Sequence, residues 1–138
     1  MRVLAMAILG FTGIGQIGAA FSQDAAATNF AGEYVMAGKG FGPRDSAYGG
    51  TCSVKREEPA YVVSCFNRDT QHTYTGKGLA AGDTFSVFIG DHLRGDHNSA
   101  FIGEYLVVYR RRADGVLEGT WLHASTAAAG AETLTPAR

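Results

Sequence analysis

The chain has 138 residues, with 12 Lys+Arg against 13 Asp+Glu, 19 Gly and two Cys. That length fits one domain, and a net charge of −1 offers no basic surface for nucleic acid or an anionic membrane. Hydrophobic residues at 46% against 18% charged exclude a disordered chain, two Cys are too few for a disulfide miniprotein or a four-cysteine zinc site, and glycine without a three-residue period excludes collagen.

Residues 1–22 read MRVLAMAILGFTGIGQIGAAFS. One cation, Arg2, precedes an apolar run that begins at Val3 and ends among small residues, Gly18, Ala19, Ala20 and Ser22. This is the layout of a secretory signal peptide, with cleavage expected after Ala20 or Ser22. Glycines interrupt the run and no basic cluster follows it, which argues against a membrane anchor. No Cys stands at the cleavage zone to carry a lipid. Removal of 1–22 leaves 11 basic against 13 acidic residues. Residues 23–31 are expected to form a flexible lead-in, and residues 32–138 a single β-domain. The expected location is periplasmic or secreted, without membrane insertion of the mature chain.

From Gly32 onward, β-rich runs alternate with Gly, Asp and Pro. They are Glu33–Ala37, Tyr48–Arg56, Tyr61–Asn67, His72–Leu79, Thr84–Ile89, Glu104–Arg111, Val116–His123 and Ala131–Thr135. No window carries a helical apolar stripe. Ala124–Ala131 is the one helical candidate and lacks an apolar face. Eight short strands at close spacing predict an all-β fold, a small antiparallel meander closing into an eight-stranded barrel.

Three turns set the register. Arg112-Ala113-Asp114-Gly115-Val116 predicts a three-residue hairpin with Gly115 in the left-handed position. Arg110 then faces Glu118, and Tyr109 faces Gly119. Tyr105, Val107, Tyr109, Leu117, Trp121 and His123 share the other face. Gly82-Asp83 predicts a two-residue turn that sets Gly76, Gly78 and Ala80 against Ile89, Val87 and Phe85. It leaves Phe88 outward, opposite Lys77. Around Glu57-Glu58-Pro59-Ala60 the fixed φ of Pro59 excludes a type I′ turn, and a four-residue loop is expected. Pairing Arg56 with Tyr61 then sets Cys52 opposite Cys65, within disulfide range. An exported protein meets oxidising conditions, so a Cys52–Cys65 disulfide is expected, worth about 3 kcal/mol in the chain-entropy description.

These residues resemble a family of small exported alphaproteobacterial β-proteins. The resemblance rests on Gly32-Glu33-Tyr34, Tyr48-Gly49-Gly50, Tyr61-Val62-Val63-Ser64-Cys65, Gly76-Lys77-Gly78 and Gly82-Asp83. It continues through Asp114-Gly115-Val116-Leu117-Glu118-Gly119-Thr120-Trp121 and Glu132-Thr133-Leu134. It covers nearly all of the mature chain and implies the β-fold, but no catalytic residues. Two departures stand out. Cys52 and Cys65 replace an aliphatic residue and a Trp of the pattern, and Asp91–Gly103 is longer than the pattern expects.

Side chains that bear chemistry are few. Gly90-Asp91-His92 and Gly95-Asp96-His97 repeat within that long loop, but turn-forming composition accounts for them and no metal site is expected. Arg94-Gly95-Asp96 matches an adhesion tripeptide that chance supplies often. His123 lies near Ser125 and Thr126 without a nucleophile-elbow motif, so no catalytic residue is assigned. Arg110, Arg111 and Arg112 form a solvated edge. The inward aromatics Tyr61, Tyr105, Tyr109 and Trp121 are the candidate ligand-binding residues, because a barrel of eight strands is filled by side chains or holds one small ligand. The expected function is a monomeric, non-enzymatic binding module without cofactor, whose partner is a small molecule or an exported protein and not nucleic acid. The alternatives are an inhibitor of a secreted or cell-wall enzyme acting through the Asp91–Gly103 loop, and a hydrolase at the barrel mouth.

Overall fold

A computed structural model describes residues 28–41, 46–90 and 103–138. The expected signal segment and the 91–102 part of the long loop, with its His, Asp and Arg-Gly-Asp residues, lie outside the described residues. The described chain forms eight strands: β1 (Gly32–Gly40), β2 (Ala47–Glu57), β3 (Ala60–Asn67), β4 (His72–Ala81), β5 (Thr84–Ile89), β6 (Tyr105–Arg111), β7 (Leu117–His123) and β8 (Ala129–Pro136). Each strand pairs antiparallel with the next, and β8 returns to β1, closing the barrel. Closure leaves no strand edge unpaired.

The strand ladder follows the turn chemistry. Gly115 adopts φ +84° in the β6–β7 hairpin, and Arg112 N–H donates to Val116 O at 2.8 Å. Arg110 pairs with Glu118 and Tyr109 with Gly119 in the register. Glu118, however, takes its ion pair diagonally from Arg112, at 2.9 Å, because that longer reach also lets Arg112 hold Asp114 at 2.8 Å. Gly82 at φ +61° opens the β4–β5 turn, and Gly76, Gly78 and Ala80 face Ile89, Val87 and Phe85. The Pro59 turn differs from expectation. Glu57 pairs with Ala60, so the loop is two residues long and the Glu58–Pro59 peptide bond is cis. The Glu57–Ala60 pair extends the ladder one step beyond the expected Arg56–Tyr61 pair.

Ala124–Ala131 is not helical. Residues 124–128 connect β7 to β8, with His123 N–H donating to Ala128 O at 2.8 Å. β8 begins at Ala129, two residues earlier than its sequence pattern suggests, because Gly130 finds ladder partners on both sides, Gly40 and Trp121.

The interior follows from strand alternation. Cys52, Val54, Val63 and Cys65 point inward together. Cys52 and Cys65 are paired in the register with their sulfurs at bonding distance, 2.06 Å, and their Cα atoms 4.0 Å apart. Gly119 lies opposite Tyr109, where a Cβ would stand 2.5 Å from the Tyr109 ring. Any larger residue would push that fully buried ring aside. Outward, Phe88, Leu106 and Leu122 lie abreast across β5, β6 and β7.

One end of the barrel is filled. Phe30 and Ala31, the last residues of the expected lead-in, are packed rather than free. Phe30 is fully buried, stacked on Phe85 at 4.9 Å and edge-on to Tyr61 at 6.2 Å. Two hydrogen bonds hold this segment. Tyr34 Oη donates to Phe30 O at 2.7 Å, and Arg111 Nη1 donates to Asn29 O at 2.7 Å. Leu117 and Leu134 complete the plug with no exposed surface. A three-residue segment ahead of β1 therefore supplies the side chain that the strands alone leave missing.

Candidate functional site: a cavity in the open half of the barrel

The opposite half holds a cavity of about 730 Å³. Its mouth is formed by Phe41 and Ser46 beside β1 and β2, by Asp69 and Thr70 of the β3–β4 turn, and by Ala128 of the β7–β8 turn. Its walls are Met36, Tyr48, Tyr74, Ile89, Tyr105, Val107 and Trp121. Cavities of this size that are mostly apolar with a few polar groups are the usual form of a small-molecule site.

The polar turn at the mouth is held from below. Asn67, a buried polar residue, ends β3 and accepts from the Asp69 and Thr70 N–H groups at 2.9 and 3.1 Å through Oδ1. Asp69 Oδ2 in turn accepts from Gly49 N–H at 2.7 Å. These bonds tie the turn to β2, so this part of the rim is rigid.

The aromatic wall is ordered by edge-to-face contacts. Tyr105 meets Tyr74 at 6.1 Å and 80°, Trp121 at 5.9 Å and 76°, and His123 at 4.8 Å and 83°. Such contacts place the positive edge of one ring on the negative face of the next. Trp121 can lie flat because Gly130 is beside it. A Cβ there would stand 2.4 Å from the indole ring.

Glu132 marks the boundary between cavity and core. It lies on β8, lines the cavity, and accepts two phenol hydrogen bonds. Tyr48 Oη donates to Oε2 at 2.8 Å from the cavity side, and Tyr109 Oη donates to Oε1 from the core side. The residue keeps some surface along the cavity, yet its carboxyl is deep enough that burial dominates. Burial raises its pKa above the ordinary carboxylate value, against the two tyrosine hydrogen bonds that lower it. Burial also raises the pKa of Tyr109 well above that of a free phenol, with the Glu132 charge adding to the rise. Tyr48 is raised for the same two reasons, burial first. Trp121 Nε1 is buried without a hydrogen-bond partner. It lies close enough to the Tyr48 hydroxyl to work against the rise in that phenol's pKa, but outside hydrogen-bond geometry.

The four candidate aromatics therefore separate. Tyr105 and Trp121 line the cavity. Tyr109 lies beneath it, fully buried, and reaches it only through Glu132. Tyr61 belongs to the filled end, against Phe30 and Phe85. Sequence reasoning missed Glu132, Tyr48, Tyr74 and Asn67 as parts of this site. The available signal was parity: Glu132 is two residues from Gly130 and two from Leu134, so an inward Leu134 makes Glu132 an inward carboxylate.

His123 accepts the Ser125 backbone N–H at Nδ1, 3.1 Å away, and the Ser125 hydroxyl lies 3.4 Å from the same nitrogen. This is a local turn contact at an exposed rim, longer than the reach expected of a nucleophile and its base. Among the described residues no group of three or more His, Cys, Asp or Glu side chains is placed to hold a metal ion. No described helix is long and apolar enough to cross a membrane. No protein-family model and no curated protein matches the chain.

Proposed function

We propose that the protein is an exported, non-enzymatic carrier that binds one small, largely apolar molecule in the open half of its barrel. The observation that supports this most directly is the cavity of about 730 Å³, walled by aromatic and aliphatic side chains and floored by a buried carboxyl. Filling such a space with a ligand removes apolar surface from water, worth about 25 cal/mol per Å². The polar groups give orientation: Trp121 Nε1–H is a buried donor awaiting an acceptor, and Glu132 is an acceptor at the floor. The residues proposed to contact ligand are Tyr48, Tyr74, Tyr105, Trp121 and Glu132. Tyr109 positions Glu132.

Trp121 is the only tryptophan in the chain, so its emission reports on the cavity alone. A saturable change in that emission is expected when small apolar molecules are titrated into the protein. Ala129→Phe, which fills the cavity wall, is expected to abolish the change. An unsaturable or absent response across neutral, cationic and anionic probes would overturn the reading.

A further inference from the structure

We infer that the ligand is an organic cation, an alkyl- or arylammonium whose charged head sits against Glu132 within the aromatic wall. The inference rests on the carrier reading above and names the class of molecule carried. Three observations converge on it. First, the described residues that line the cavity include two carboxyls, Asp69 and Glu132, and no Lys, Arg or His. Arg68, in the adjoining turn, is exposed and does not line the cavity. Among the described lining residues an anionic ligand would meet like charge, whereas a cation would favour the ionised carboxyl that burial disfavours.

Second, among the described residues the hydrogen-bond partners of Glu132 are neutral. Its two oxygens accept from the Tyr48 and Tyr109 hydroxyls, which orient the carboxyl but bring no positive charge. Burial still outweighs those bonds and disfavours the ionised form. A cation in the cavity supplies what the protein withholds, at a distance and in a medium where the attraction is little screened.

Third, the wall suits a cation. Tyr74, Tyr105 and Trp121 line the cavity together, with Tyr105 edge to face against each of the other two at 80° and 76°. Ring faces are negative and attract ammonium groups within about 6 Å, most strongly when water is excluded. A carboxyl together with aromatic rings is an arrangement that recognises ammonium ions.

The test compares three probes of one chain length by Trp121 emission: octyltrimethylammonium, 1-octanol and octanoate. Octyltrimethylammonium is expected to bind at least tenfold more tightly than 1-octanol, with octanoate weakest. Glu132→Gln is expected to remove most of that preference, read as the ratio of octyltrimethylammonium to 1-octanol affinity within the variant. The wild-type ranking stands by itself if that variant does not fold. Equal or tighter binding of 1-octanol than of octyltrimethylammonium overturns the cation assignment and leaves the carrier reading intact. A cation preference that survives in folded Glu132→Gln overturns the role of Glu132 in it. Failure of all three probes to bind overturns both readings.

Discussion

The two halves of the barrel are built from the same eight strands and differ in what lies between them. In the filled half, Phe30 enters from ahead of β1 and stacks against Phe85, while Tyr61, Leu117 and Leu134 close around it. In the open half, Tyr74, Tyr105 and Trp121 line the wall edge to face, and the described residues enclose a cavity. Both halves are rich in aromatic residues, so hydrophobic content does not separate them. The difference lies in a plug. An eight-stranded barrel is close to the width at which side chains just meet, so one added ring decides whether an end is core or cavity. Glu132 lies at the junction, with one oxygen facing each half.

The largest effect expected of this asymmetry is on stability. Phe85→Ala in the filled half should cost about 3–5 kcal/mol, as truncation of a fully buried ring does. Tyr105→Ala, on a ring that already borders an empty space, should cost about 1–2 kcal/mol, because it adds to an existing cavity rather than opening a new one. Denaturant unfolding of the two variants checks this, and equal losses would dissolve the distinction between the halves.

Next in size is the staple between β2 and β3. Reducing the Cys52–Cys65 bond, which spans a separation of 13 residues, should lower stability by about 3 kcal/mol. Chemical unfolding with and without reductant measures it. A loss confined to the open half would appear as diminished Trp121 response with unchanged global unfolding, and would count against one cooperative barrel.

The smallest effect sharpens the role of the junction. Burial holds the Glu132 pKa above 4.5 in the folded protein. The native state therefore keeps this proton to higher pH than the unfolded chain does. Stability from this group is fully present below the unfolded value and is lost as pH rises through the folded one. Gln cannot ionise, so the melting temperature of wild type should fall relative to Glu132→Gln across that window. Parallel profiles for the two proteins would show that the carboxyl is not desolvated.

Much of this architecture is written locally. Gly82-Asp83 and Asp114-Gly115 each specify a hairpin register, and each register carries its strands with it, down to Tyr109 over Gly119. The cross-strand cysteines follow from the Arg56–Tyr61 pairing even though the Pro59 turn is shorter than its composition suggests. The Ala124–Ala131 stretch was less legible. Small residues carry little β-preference, and its strand character comes from ladders on both sides. The site was legible only in part. Tyr105 and Trp121 could be assigned to the interior by alternation, but alternation does not say at which height along the barrel axis an inward residue sits.

That height separates what the chain specifies by itself from what only the closed structure decides. Strand order, register, the disulfide and the inward set are determined by turns and two-residue periodicity, which act between neighbours in sequence. Whether Tyr61 fills core while Trp121 faces a cavity depends on Phe30 reaching one end of the barrel, a contact between residues more than thirty positions apart. The meeting of Tyr48, Tyr109 and Glu132 likewise spans 84 residues in one of its two hydrogen bonds. The Tyr48–Glu132 contact forms only when β8 closes on β1, so this part of the site is a property of the barrel's closure and not of any segment within it.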